Sequence, residues 1–225
     1  MITRRIADLM ELKEIFNSKH SVKWGLIGVV LMGLIASSCD HPVQPSPQPG
    51  VVKITLQHVP EDTMIEMAGK TNILTQNDRF PLTISEGRVV RANDSAYANL
   101  YQNMDEFRQQ DHDYDILRLE RDGTPSTMQI FETRIPPGEY TEVSFVMNTS
   151  SIRLVPPDEQ PITQPVVLSP DHPQLPLVRV DADFTIEEQK TTIVRLRLSS
   201  FRSLTRFKDS FRFVPQLSVH RIQEP

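Results

Sequence analysis

Apolar and polar residues alternate along several short segments of the chain. In residues 51–57, VVKITLQ, an apolar side chain stands at every second position, and the same period of two is found in residues 143–147, 194–198 and 211–213. Because neighbouring side chains of a strand point to opposite faces, this period predicts β-strands with one buried face.

Turn-forming sequences rich in proline and glycine separate these predicted strands. They are Asp122-Gly123, Pro136-Pro137-Gly138, Pro156-Pro157-Asp158 and Ser169-Pro170-Asp171. Many short strands joined by such turns, with little helical periodicity, are typical of a β-sandwich. We therefore predict an all-β fold, a single β-sandwich over residues 51–222.

One segment departs from this pattern. In residues 95–110, SAYANLYQNMDEFRQQ, apolar side chains recur at spacings of three and four. That spacing places them on one face of a helix. We therefore predict one short amphipathic helix, or a helical turn, within the sandwich domain.

The N-terminal part of the chain has the pattern of a secretory signal. Residues 24–35, WGLIGVVLMGLI, are apolar and uncharged, but a membrane-spanning helix needs about 20 such residues. Lys19 and Lys23 precede the run, and small residues follow it up to Cys39, the only cysteine of the chain. This order of basic, apolar and small residues predicts a signal peptide, or an anchor helix, over residues 1–38.

The ending IASSC, residues 35–39, resembles the end of a bacterial lipoprotein signal. The resemblance implies cleavage before Cys39 and attachment of lipid to its thiol and new amino group. Several acyl chains would hold the protein stably at the cell membrane, facing the periplasm, with the inner or outer membrane left open. An uncleaved anchor and a buried core helix are the alternative interpretations of the apolar run.

Residues 39–50 are predicted to link the lipid to the folded domain. The segment contains four prolines, which favour an extended polyproline conformation over a packed core. Because the chain has no second cysteine, the domain uses no disulfide, although an exported location would permit one.

The charge of the chain is distributed unevenly. The net charge is −5 overall, −13 over residues 39–189 and +7 over residues 190–222. A basic face could bind an acidic glycan, lipopolysaccharide or an acidic protein; alternatively, the arginines pair with acidic residues of the same domain or face water. The candidate ligand-binding arginines are Arg195, Arg197, Arg202 and Arg206. An exported chain without a nucleic-acid-binding motif is not expected to bind nucleic acid.

Aromatic residues bear on the choice between a glycan and a protein partner. The predicted mature chain has no tryptophan, because Trp24 lies in the signal. Tyr97 and Tyr101, with Tyr114 nearby, are therefore the candidates for stacking on sugars. Exposed and coplanar tyrosines would favour a glycan, whereas buried ones would favour a protein partner.

No other group of residues predicts catalysis or a cofactor. Asp111, Asp113 and Asp115 have the alternate spacing of calcium ligands, but no glycine turn or distal glutamate follows, and we expect a solvated acidic loop. Asp181 and Asp183 form a weaker pattern, and the six histidines lack zinc spacing. Neither a nucleophile elbow nor a P-loop is found. We predict a protein that is not an enzyme and needs no cofactor or metal; a glycan hydrolase is a weak alternative.

Two longer segments resemble the bacterial domain of unknown function 4382 family. YDILRLERDG, residues 114–123, and RIPPGEYTEVSFVMN, residues 134–148, are similar to the family's strand ending near a glycine and its Pro-x-Gly-x-Tyr-Thr turn. Residues 184–222 resemble its closing strands. Over residues 51–222, the resemblance implies a secreted or lipid-anchored β-sandwich of the transthyretin-like or immunoglobulin-like kind, related to carbohydrate-binding domains and without a known activity.

The turn in this resemblance has a physical explanation. Pro137 fixes φ, and Gly138 can adopt the positive φ of a tight turn. Tyr140 would then begin a strand with its ring in the core and its hydroxyl near the edge. We expect this segment to build the fold, the alternative being a ligand-facing loop.

The sequence therefore predicts a membrane-anchored envelope lipoprotein with a non-catalytic, ligand-binding β-sandwich. A glycan is the first ligand to test. A structural or protein-interaction subunit of an envelope assembly is the main alternative.

Overall fold

The computed structural model describes residues 46–67, 69–106, 108–157, 159–167 and 177–224. In these ranges the regular elements are all β-strands, and no helix is formed. Residues from Pro47 onward form one compact unit with its own hydrophobic core. The strands are β1 Gly50–His58, β2 Met64–Met67, β3 Lys70–Ile73, β4 Pro81–Arg91, β5 Tyr97–Asn99, β6 His112–Asp115, β7 Thr127–Ile135, β8 Gly138–Asn148, β9 Ser151–Leu154, β10 Ile162–Val167, β11 Leu177–Ile186, β12 Thr191–Leu198, β13 Leu204–Phe207, β14 Ser210–Phe213 and β15 Leu217–Gln223.

The described strands form four sheets. Sheet 1 has the order β15-β12-β1-β7, sheet 2 the order β11-β8-β4-β5 with β6 also paired to β4, and sheet 3 the order β13-β14-β10-β9. The hairpin β2–β3 is a separate two-stranded sheet. In sheet 1, β1 is parallel to β12 and antiparallel to β7, so the first strand of the domain lies beside one of its last.

The core contains side chains of both larger sheets. Phe131 of β7 in sheet 1 contacts Phe145 of β8 in sheet 2, with the ring centroids 6.0 Å apart in an edge-on arrangement. Gly87 of β4 lies against the same phenylalanine, since a Cβ atom at Gly87 would be 2.6 Å from the Phe131 ring. The missing side chain of Gly87 therefore makes room for the aromatic core.

The predicted alternating strands are found, with one difference in burial. In residues 51–57, 194–198 and 211–213 the apolar positions are buried and the positions between them are partly exposed. In β8, Ser144 and Val146 are buried as well as the apolar positions beside them. This strand lies inside sheet 2, between β11 and β4, and is covered on both faces.

The prediction of a helix over residues 95–110 is wrong. Tyr97–Asn99 form strand β5 against β4, and the described residues that follow form turns and bends. The Leu100 amide donates to the Gly87 carbonyl at 2.8 Å, and the Tyr101 amide donates to Thr133 Oγ1 at 2.6 Å. Because neighbouring strands take up these donors, tertiary pairing overrides the helical spacing.

The turn around Gly138 has the geometry that the sequence predicts. Gly138 has a φ of 150°, and the buried Tyr140 ring stacks on Phe184 with the centroids 5.5 Å apart. The Tyr140 hydroxyl donates to the Pro136 carbonyl at 2.7 Å, which closes the turn at the start of β8. Burial raises the pKa of this hydroxyl above its ordinary value.

The predicted signal or anchor over residues 1–38, Cys39 and most of the linker lie outside the described residues. Among the residues that are described, no helix has the length and apolar character needed to cross a membrane.

Candidate functional site

The strand register brings cationic side chains together on the outer face of sheet 1. Arg195 of β12 lies opposite Thr55 of β1 on one side and Arg221 of β15 on the other. The side chains at these positions are partly or fully exposed, whereas the intervening positions of β1 and β12 face the core. We call this surface the basic face; its cations are Lys53, Arg134, Arg195, Arg197 and Arg221.

Arg195 and Arg221 form a pair of like charges. They are register partners in antiparallel strands, where opposing Cβ atoms are about 5 Å apart and like charges are destabilising. Neither side chain has an ion pair or hydrogen bond within the described part of the chain. The fold therefore holds two positive charges close together without a neutralising partner from those residues.

Two polar atoms at the basic face are buried without a hydrogen-bond partner among the described residues. They are Thr55 Oγ1 and Arg197 Nε, and they belong to the neighbouring strands β1 and β12. Unsatisfied buried polar groups cost free energy, and each one calls for an explanation.

Glu132 is the acidic residue of this face, and it is engaged elsewhere. Its carboxylate accepts from Lys53 Nζ at 2.7 Å and from Gln129 Nε2 at 2.8 Å. The hydrogen bond from Lys53 holds the pKa of Glu132 below its usual value. Glu132 therefore neutralises Lys53 rather than the arginines of β12 and β15.

The two candidate tyrosines do not join the basic face. Tyr97 lies on β5 of sheet 2, 61% exposed, with the Arg88 guanidinium 5.0 Å from its ring centroid. Tyr101 is half-buried at the edge of sheet 1 beside Thr133. Tyr114 is also half-buried, and burial raises the pKa of its hydroxyl. The three tyrosines thus do not form the exposed platform that would favour sugar stacking.

Arg202 and Arg206 line a different surface, a cleft between two hairpins. The cleft lies between β2–β3 and β13–β14 and contains two adjoining cavities of about 280 and 230 Å³. Arg202 borders the larger cavity and Arg206 borders both. The four candidate arginines therefore divide into two pairs, one on the basic face and one in this hairpin cleft.

A buried histidine supports the floor of the hairpin cleft. His58 is fully buried, and its Nδ1 lies 2.9 Å from Ser200 Oγ. The buried carboxylate of Asp62 accepts from the Phe201 amide at 2.8 Å. Burial lowers the pKa of His58, although the negative charge of Asp62 opposes the shift. Sequence reasoning missed this cluster because His58 and Ser200 are far apart in the chain.

Two of the three aspartates in residues 111–115 have structural partners. They border and form strand β6 rather than the expected loop. Asp113 accepts from the Thr83 hydroxyl at 2.6 Å, and Asp115 accepts from the Phe80 amide at 3.0 Å and pairs with Arg79. No group of three potential metal ligands occurs among the residues that the structure describes.

The second acidic pair lies on β11. Asp181 and Asp183 are exposed there, and Asp181 is the register partner of Glu142 on β8. The exposed surface of β11 therefore carries charges of both signs, Asp181 and Asp183 beside Arg179.

Comparison with known proteins gave no relative: no family model, no curated protein and no solved structure matches the chain.

Proposed function

We propose that this protein is a membrane-anchored, non-catalytic binding protein whose folded domain is a β-sandwich of sheets 1 and 2. The aromatic contact between Phe131 and Phe145 supports this arrangement of the two sheets. We further propose that the sandwich is of the transthyretin-like or immunoglobulin-like kind, as the resemblance of residues 114–123 and 134–148 to the domain of unknown function 4382 family implies.

The ligand that we propose for the basic face is an acidic glycan. The observation that carries the proposal is the Arg195–Arg221 pair of like charges, which lacks an acidic partner among the described residues. An anion between the two guanidinium groups would relieve their repulsion and accept hydrogen bonds from both.

The shape of the basic face favours an extended ligand over a small one. Arg195 and Arg197 lie on the same side of one strand, about 7 Å apart along it, and Arg221 continues the group across β15. A polysaccharide with repeated carboxylates can contact several of these cations at once, so that weak individual contacts add up.

The proposed attachment to the membrane rests on the sequence. Lipid on Cys39 and the proline-rich residues 39–50 would place the domain a short distance from the membrane, on the periplasmic side. Such a linker leaves the basic face free to reach an extended polymer.

The test compares an acidic with a neutral polysaccharide. We expect residues 47–225 to bind polygalacturonate saturably and to ignore dextran, as measured by calorimetry. The substitutions Arg195→Gln and Arg197→Gln together should weaken binding about tenfold or more, since each removes a charge-assisted contact.

Arg179→Gln is the matched control, because Arg179 is an exposed arginine on β11 of sheet 2. It should leave the affinity unchanged. Equal binding of both polysaccharides, or an equal loss of affinity in the control, would contradict the proposal.

A structural or protein-interaction subunit of an envelope assembly is the second candidate function. It is favoured by Met64 and Ile73, an apolar cross-strand pair on the β2–β3 hairpin that is 62% and 66% exposed. Contiguous exposed apolar surface can mark a protein-interaction site. Crosslinking from Ile73 in the intact envelope should capture one defined protein if this function is correct, and none if it is not.

A further inference from the structure

The hairpin cleft has the size and composition of a ligand site that is separate from the basic face. Its two cavities of about 280 and 230 Å³ share the lining residues Glu66, Arg206 and Phe211. Together they fall in the range of about 300–1,000 Å³ that is typical of small-molecule sites.

The two ends of the cleft differ in chemistry. The larger cavity is bordered by the exposed Met64 and by Ile65, Phe201 and Leu204, each of which is about nine-tenths buried or more. The smaller cavity is lined mainly by polar side chains, among them Gln164 and Lys208. An elongated ligand in the cleft would therefore contact Met64 and the exposed edges of these buried side chains at one end, and polar groups at the other.

Opposite charges stand on the two walls where the cavities meet. Glu66 is exposed on β2 and Arg206 is exposed on β13. Both residues line both cavities, yet they do not form an ion pair with each other or with any other described residue. A space between an unpaired carboxylate and an unpaired guanidinium fits a group that carries both charges.

We propose that the hairpin cleft binds an amphiphile with a zwitterionic head group. The apolar chain would lie over Phe201 and Leu204 and continue toward the exposed Met64. The anionic part of the head group would contact Arg206 with Lys208 nearby, and the cationic part would contact Glu66. This site and its ligand go beyond the binding of an acidic glycan by sheet 1.

A purely anionic amphiphile fits the cleft less well. Glu66 and Asp209 contribute negative charge to the same lining as Arg206 and Lys208, so an anion gains from one wall and is repelled by the other. A purely cationic amphiphile meets the reverse arrangement; Arg202 adds little to it, because its guanidinium is paired with the Asp62 carboxylate at 3.8 Å.

The experiment compares three amphiphiles that share one chain and differ in charge. Residues 47–225 would be titrated with dodecylphosphocholine, dodecyl phosphate and dodecyltrimethylammonium, all below the concentration at which micelles form, and followed by calorimetry and NMR. We expect saturable one-to-one binding, tightest for dodecylphosphocholine. Similar affinities for all three would overturn the proposal, since they would indicate adsorption by the chain alone.

Charge variants assign the binding to the cleft. Arg206→Gln should weaken dodecylphosphocholine about tenfold, the factor expected for one lost charge-assisted contact, and Glu66→Gln should weaken it similarly. The exchanged pair, Glu66→Arg with Arg206→Glu, should recover much of the affinity because the head group can bind in the reverse orientation.

Arg179→Gln on β11 should bind as the unsubstituted protein does. All of these positions are exposed, so unchanged thermal unfolding would show that the variants are folded. An unchanged affinity in both Gln variants would overturn the assignment to the cleft. So would a failure of the exchanged pair to bind better than the single variants.

Discussion

At the scale of single residues, His58 links the end of β1 to the C-terminal part of the domain. Its ring contacts Phe201 edge-on, with the centroids 5.8 Å apart, and its Nδ1 lies beside Ser200 Oγ. Nε2 is buried without a partner among the described residues. A proton on this ring would therefore place an additional charge in a buried site, with Asp62 as the nearest compensation.

The stability of the domain should depend on pH through His58. Burial holds the folded-state pKa below the ordinary value of 6.5, so the unfolded chain binds this proton more readily. The free energy of unfolding should be fully retained above about pH 6.5 and should fall as the pH drops toward the lowered pKa. Urea unfolding between pH 7.5 and 5 measures this effect.

His58→Gln should remove the contribution of His58 to the pH dependence. The free energies of unfolding of the variant and of the unsubstituted protein should therefore converge as the pH falls. His220→Gln is the matched control, because His220 is exposed on β15. If His58→Gln had the same pH slope as the control, the account of the buried histidine would be wrong.

At the scale of elements, β4 bends where Gly87 meets the aromatic core. The register between β4 and β8 shifts between Ser85 and Arg88, and Glu86 has a φ of 50°. These are the marks of a β-bulge. The bulge brings Gly87 against the Phe131 ring of β7, so a residue without a side chain is needed at this position.

Gly87→Ala should destabilise the domain by about 1–3 kcal/mol, the usual cost of overpacking a core. The reason is that the new Cβ atom would be 2.6 Å from the Phe131 ring and 2.9 Å from Leu100. Urea unfolding of Gly87→Ala, Phe131→Leu and the double variant measures the effect. The double variant should be more stable than the sum of the single changes predicts. Additive losses would contradict the contact between the two sheets.

The elements also show which features a single sequence can predict. Alternation along residues 51–57 and 194–198 predicted β1 and β12, because one face of each strand is buried. Alternation did not predict that β1 and β12 would be parallel neighbours. The spacing in residues 95–110 indicated a helix, but pairing with β4 and β7 decided the structure there.

In the candidate sites, too, the sequence predicted features within one strand but not contacts between strands that are far apart in the chain. The outward direction of Arg195 and Arg197 follows from their own strand, and the structure agrees with it. Their proximity to Arg221 depends on strand register. The hairpin cleft was not predicted, because it forms only where β2 and the β13–β14 hairpin approach each other, far apart in the sequence.

At the scale of the whole molecule, the uneven charge of the sequence becomes a difference between surfaces. The C-terminal residues with excess positive charge supply β12 and β15 of sheet 1, whereas Asp181 and Glu142 lie together on sheet 2. If the basic face binds polyanions as we propose, this distribution would attract them to one side of the domain.

The central claim is that the basic face of sheet 1 binds an acidic polysaccharide. The salt dependence of polygalacturonate binding tests this claim most directly. The affinity of residues 47–225 should fall steadily as the salt concentration rises, because exposed charges are screened beyond about 8 Å at physiological ionic strength. Arg221→Glu, which replaces the repelling pair by a pair of opposite charges, should bind more weakly and with a smaller dependence on salt. An affinity that does not change with salt, or an Arg221→Glu variant with the same salt dependence as the unsubstituted protein, would contradict binding at the basic face.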